Sequence, residues 1–124
     1  MEFFRTVPHT WDEGCIQAHL TVAELARYCD FIDRVLRHDG DEGEIYCGWG
    51  QFKVLRQAIK GGVRFVLPGC PNALAWTVTA GYPPALGGIT IHGTINRTEH
   101  ALDFVETIDE FMDSWAEGLG NASS

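Results

Sequence analysis

The hydrophobic period of this chain changes twice, from about 3.6 residues to 2 and back, and that alternation restricts it to a mixed helix and sheet architecture. Val22, Leu25, Ala26, Cys29, Ile32 and Leu36 recur at three- and four-residue intervals, and Thr21 and Glu24 have capping-box spacing. The spacing predicts an amphipathic helix over 20–38, ending near Arg37 and His38 before the breaker run Asp39 to Gly43. A second helix is predicted over 99–117, where Leu102, Val105, Ile108, Met112, Trp115 and Leu119 form one stripe beside Ala101, Phe104 and Phe111. Asn96 or Thr98 would cap it, and Gly118-Leu119-Gly120 would stop it.

Between these segments the residues alternate. Leu74, Trp76 and Val78 interleave with Ala75, Thr77 and Thr79, and Ile89, Ile91 and Ile95 interleave with Thr90, His92 and Thr94. Val63–Leu67 and Glu44–Trp49 read as further strands, with Gly48 and Gly50 suited to a bulge. Residues 52–59 suit either a helix or a strand. The strand is preferred, because no capping residue precedes them and Lys60-Gly61-Gly62 supplies the positive φ of a hairpin loop. A short strand at Phe3–Val7 would pair at an edge. The expected fold is α+β: an antiparallel sheet of four to five strands flanked by an N-terminal and a C-terminal amphipathic helix, as a two-layer sandwich.

At 124 residues and 45 % hydrophobic content the chain is long enough for one domain spanning 1–124, with 121–124 a frayed tail. No apolar run reaches the roughly 20 residues that a bilayer requires, so no membrane partner is expected. Met1–Val7 lacks the pattern of a signal peptide, which makes the expected location cytoplasmic and the four cysteines free thiols.

Charge is segregated along the chain. Residues 1–44 carry 4 basic and 10 acidic groups, residues 45–98 carry 5 basic and none acidic, and residues 99–124 carry 7 acidic and none basic. With a pI near 4.9, the whole chain is a poor ligand for nucleic acid, which rewards many uncompensated cations. Asp103, Glu106, Glu110, Asp113 and Glu117 follow one another at helical spacing and define an acidic stripe, with Glu99 and Asp109 beside it. Such a stripe is either a solvated outer face or a docking surface for a basic protein partner. Lys53, Arg56, Lys60 and Arg64 would complement the acidic helices from the hairpin, or form an anion site.

Catalytic and metal constellations are thin. The chain has no Cys-x-x-Cys and no His-x-x-x-His, and Cys15 with His19 supplies two ligands where tetrahedral zinc needs four. No metal or cofactor is expected. Cys70, in Leu67-Pro68-Gly69-Cys70-Pro71-Asn72, and His92 would make a nucleophile pair only if a helix lent a carboxylate, because 45–98 contains none. Trp11 and Trp49 sit in irregular or glycine-flanked sequence and, with Tyr82 before Pro83-Pro84, are candidate ligand or contact anchors. The reading that follows is a small acidic interaction protein, not an enzyme, that binds a basic partner or pairs with itself as a homodimer. The alternative is a cofactor-independent small-molecule binder or enzyme, with a cleft near loops 68–72 and 81–88.

Overall fold

A computed structural model describes residues 1–82, 85–96 and 102–121, apart from the side chains of Tyr82, Ala85, Leu86 and Leu102. In chain order it comprises β1 (Glu2–Val7), α1 (Glu13–His19), a 3-10 turn (Val22–Glu24), α2 (Leu25–Tyr28), β2 (Ile32–Asp39), β3 (Glu42–Cys47), β4 (Gly50–Ile59), β5 (Gly62–Val66), β6 (Ala75–Tyr82), β7 (Ala85–Thr94) and α3 (Leu102–Asn121). The strands form one antiparallel sheet of seven in the order β1-β7-β6-β5-β4-β3-β2. The α+β class is as expected, but the sheet has seven strands rather than four to five, because β1 and β2 both join it.

β2 occupies sequence that was expected to be helical, and the reason lies in its register. Ile32 pairs with Cys47 and Val35 with Ile45, so three steps along β2 match two along β3. A bulge inserts the extra residue, and a second follows between Val35 and Arg37. Two inward apolar side chains thereby acquire helix-like spacing inside a strand. Only 22–28 is helical in this segment, and Thr21 precedes its first turn without a side-chain capping bond. The run Asp39 to Gly43, expected to end a helix, instead turns a hairpin from Asp39 to Glu42 with Gly40 at φ 63°.

The next two hairpins are equally tight. Cys47 pairs with Gly50 across Gly48-Trp49, so these glycines make a turn rather than the expected bulge. Ile59 pairs with Gly62 across Lys60-Gly61, where Gly61 has φ 91°, and β4 is a strand as preferred. The expected loop 81–88 is mostly strand, since Tyr82 pairs with Ala85.

One sheet face is apolar and carries the helices. Phe3, Val7, Val63, Phe65, Trp76, Val78, Ile89 and Ile91 lie on it and meet Ile16 of α1, Leu25 of α2, and Phe111, Met112, Trp115 and Leu119 of α3 in one core. The opposite face is polar and threonine-rich, although Phe4 and Tyr46 are exposed there. α3 runs through Gly118-Leu119-Gly120 to Asn121 instead of stopping at Gly118. Gly118 marks a crossing: a Cβ there would overlap the backbone of Tyr28, so glycine lets α3 lie directly on α2. Of the proposed caps of α3, Asn96 is described and donates its backbone amide to the Asn72 carbonyl at 3.0 Å, while Thr98 lies outside the described residues; of the tail, 122–124 is outside them as well.

Candidate partner-binding face

α3 is amphipathic in the sense its sequence implies. Ile108, Phe111, Met112, Trp115 and Leu119 are buried, while Asp103, Glu106, Glu110, Asp113 and Glu117 are exposed. The stripe is not uniform, however, because β1 sends a cation to it. Arg5 donates from Nε to Asp113 Oδ1 at 2.8 Å and from Nη2 to Asp109 Oδ1 at 3.0 Å, while its Nη1 donates to the Phe4 carbonyl at 2.9 Å. The hydrogen bond to Asp113, opposed by partial burial and helped by Asp109, raises the Arg5 pKa above its ordinary value. Asp113 is thus partly neutralised from within. Among the described residues no cation lies within ion-pair distance of Asp103, Glu106, Glu110 or Glu117. Arg5 was not singled out from the sequence. Its signal was a charged residue at an inward-facing position between Phe3 and Val7.

Lys53, Arg56 and Arg64 find partners other than the acidic helix. Lys53 pairs with Glu42 at 3.3 Å, and that hydrogen bond holds the Glu42 carboxyl below the usual range. Arg56 pairs with Asp41 at 2.9 Å and donates to the carbonyls of Leu20 at 2.8 Å and Gln17 at 2.6 Å. A guanidinium placed on the open carbonyls at the end of α1 both satisfies them and suits the negative pole of the helix. Arg64 donates to Gln57 at 3.1 Å. These cations secure hairpins and a helix end; Arg56 and Arg64 also line one open hollow of about 510 Å³, but Asp39, Asp41 and Glu42 line it with them, so it does not present the uncompensated cations of an anion site.

The Cys–His constellation does not form. His92 lies on the outer face, stacked on Phe4 with ring centroids 4.3 Å apart and bonded through Nε2 to Glu2 at 2.9 Å. Cys70 lies in the loop after β5, beside a small apolar hollow lined by Trp49, Phe52, Leu74, Phe104 and Ile108. At about 70 Å³ this hollow is far below the roughly 300–1,000 Å³ of small-molecule sites. All four cysteines are free, and burial pushes the Cys29 thiol up to about 12 and raises Cys47 as well, so both stay protonated and unreactive at neutral pH. His19 Nδ1 meets the Cys15 carbonyl at 2.8 Å, which spends the Cys15–His19 proximity on a backbone bond. No cluster of three His, Cys, Asp or Glu able to hold a metal occurs among the described residues.

The aromatic candidates are placed as follows. Trp49, at the tip of the β3–β4 hairpin, folds back onto α3, donating from Nε1 to Thr107 Oγ1 at 2.9 Å and packing on Phe31 and Phe111. It ties the hairpin to the helix. Trp11 is 7 % exposed, stacked on His19 at 4.5 Å and edge-on to Tyr28 at 5.8 Å. The Tyr82 side chain lies outside the described part of the structure. Trp11 and Tyr28 form the aromatic wall of a cleft of about 390 Å³, which His19, Arg27, Asp30, Glu117, Gly118 and Asn121 complete. The acidic stripe of α3 therefore runs, at Glu117, into the mouth of a cleft. The chain matches no protein-family model and no curated sequence.

Proposed function

We propose that this protein acts by binding a partner with a basic surface through the exposed face of α3, and that it performs no chemistry of its own. The observation that carries this reading is the row Asp103, Glu106, Glu110 and Glu117, exposed along one helix and without a cation among the described residues. Spacing like charges at three and four residues costs a few tenths of a kcal/mol per pair, a cost that a cationic partner would offset. Negative potential focused on one face also speeds encounter with a basic surface and discriminates against anionic competitors. No helix among the described residues is long and apolar enough to cross a membrane.

The small-molecule alternative is weaker on volume at loop 68–72 alone, since an open hollow of about 500 Å³ lies against Gly81, Gly87 and Gly88 beside the other loop. The hollow beside Cys70 has room for about two water molecules at roughly 30 Å³ each. Self-association would use a different surface, the outer face of edge strand β1, where Phe4 is 47 % exposed.

The test is capture from the native cell by the wild-type chain and by a Glu106→Lys/Glu110→Lys variant, at low and at high salt. A basic protein captured by the wild type, released at high salt and bound at least about tenfold more slowly by the folded variant is the expected outcome. Identical capture by wild type and folded variant would remove the docking reading.

A further inference from the structure

The two edges of the sheet are not alike. β2 is bulged twice, and its exposed side chains include Asp33, Arg34, Arg37, His38 and Asp39; bulges and charges are what keep a foreign strand off an edge. β1 pairs with β7 without a register shift, and of its exposed side chains, Glu2, Phe4 and Thr6, only Glu2 is charged. Met1 and Ile95 exchange both backbone hydrogen bonds, each at 3.1 Å, which fixes the phase of the ladder. Phe3, Arg5 and Val7 therefore bond to β7, while Glu2, Phe4 and Thr6 turn their N–H and C=O groups to the free edge. Among the described residues, the side chain that reaches these groups is Arg5, which donates from Nη1 to the Phe4 carbonyl at 2.9 Å and leaves that oxygen a second lone pair.

This open edge runs beside the acidic flank of α3. Phe3 and Met112 both close on Gly93, and Val7 lies by Gly120, so four residues of strand, about 13 Å, accompany eight of helix, about 12 Å. Glu106, Asp109, Asp113 and Glu117 follow one another down that flank at three- and four-residue steps, and Arg5 binds the middle two. Alternate residues of an added strand would advance about 6.7 Å, against about 6 Å between helix residues four apart. A cation at every second position thus stays in step with the acidic row, as Arg5 does from β1. The intervening side chains would lie beside Phe4, which is 47 % exposed and stacked on His92.

We propose that β1 takes up an extended segment of the basic partner as an eighth strand, with Lys or Arg at alternate positions turned to α3 and apolar residues turned to Phe4. Backbone pairing would supply the affinity and the alternation the specificity. The charge of the segment rests on the docking reading above; the open ladder does not. A second copy of this chain fits poorly, because two-fold pairing of β1 edges brings two acidic flanks together.

The probe is the capped peptide Lys-Val-Lys-Val-Lys-Val-Lys, titrated into the full chain while backbone amide exchange is followed by NMR. Exchange at Phe4 and Thr6 should slow at least about tenfold at saturation, while the amides of Phe3, Arg5 and Val7, already bonded to β7, change little. Methylating every Val amide or every Lys amide of the peptide should abolish binding in one case and leave it within about threefold in the other, because only one set faces β1. Glu106→Lys with Glu117→Lys should weaken binding at least about tenfold. Phe4→Pro removes an outward N–H without touching the β7 ladder and should abolish binding that Phe4→Ala retains; if Phe4→Pro fails to fold, the methylated peptides decide. Binding without slowed exchange at Phe4 and Thr6, or equal binding by both methylated peptides, overturns the proposal. So does slowed exchange there in the chain alone as its concentration rises, which gives the edge to a second copy. If no peptide slows these amides while capture is still lost in Glu106→Lys/Glu110→Lys, the edge is wrong and the docking face stands. Equal protection by Glu-Val-Glu-Val-Glu-Val-Glu rejects the basic segment, and the docking reading with it.

Discussion

Gly118 of α3 lies against the carbonyl of Tyr28 so closely that any side chain would overlap it. This is the point where α3 crosses α2, and it forms one wall of the cleft. Gly118→Ala should cost at least about 1–3 kcal/mol, because the obstructing atoms are backbone and cannot rotate away. Gly120→Ala is the control: its nearest neighbour would be Val7 Cγ1 at an ordinary 3.8 Å, so it should be neutral or gain up to about 1 kcal/mol of helix propensity. Opposite signs in denaturant melts check the crossing, and equal effects would remove it.

Arg5 couples the edge strand to α3. Its guanidinium is 28 % exposed and Asp113 is 68 % exposed, so solvent screening keeps the pair's value small despite good geometry. A double-mutant cycle with Arg5→Met and Asp113→Asn should give a coupling of about 0.5–1 kcal/mol. The cycle is read by urea melts at two ionic strengths, and the coupling should shrink at the higher one. Charge reversal along α3 must therefore spare Asp113, which ties the helix to β1.

Helix capping falls on Asp12, which was not singled out from the sequence, and not on Thr21, which was. Asp12 accepts a hydrogen bond from the Cys15 amide at 2.9 Å, whereas Thr21 makes no side-chain cap. Asp12→Ala should lower the midpoint of a denaturant melt, and Thr21→Ala should move it much less. The bond to the Cys15 amide also holds the Asp12 carboxyl below its ordinary range. A depressed carboxyl stabilises the fold above its unfolded pKa and loses that contribution as pH falls through the folded one. Asp12→Ala should accordingly flatten the acid side of the stability profile, and a parallel shift would contradict the assignment.

Cys29 sets an alkaline limit. Its folded pKa is about 12 against an ordinary 9.0, chiefly through burial. Above pH 9 the unfolded thiol ionises while the folded one keeps its proton, so stability should fall with rising pH up to about 12. Cys29→Ala should weaken that alkaline slope while costing some packing at every pH. Melts at pH 8 and pH 10 on both proteins measure the difference.

Much of this was legible in the residues themselves. The alternation of Trp76 and Val78 with Thr77 and Thr79 fixes which side of β6 is buried, because a strand has no other way to sort them. The glycine in Lys60-Gly61 supplies the positive φ of its hairpin, and the stripe Ile108, Phe111, Met112, Trp115 and Leu119 gives the length and buried face of α3. These features are local: each depends on residues a few positions apart. β2 was hidden because its bulges give Ile32 and Val35 helical spacing, and a bulge is set by the partner strand, whose register the sequence of β2 does not contain. Gly118 resembles a helix stop until α2 is placed against it. Arg5 meets Asp109 and Asp113 more than 100 positions away, and Asp30 reaches the cleft shared with Glu117 only because α3 folds back over α2. Local propensity and periodicity determine the elements and their apolar faces; which charges are neutralised, and which are left together beside an aromatic wall, is decided by long-range packing alone.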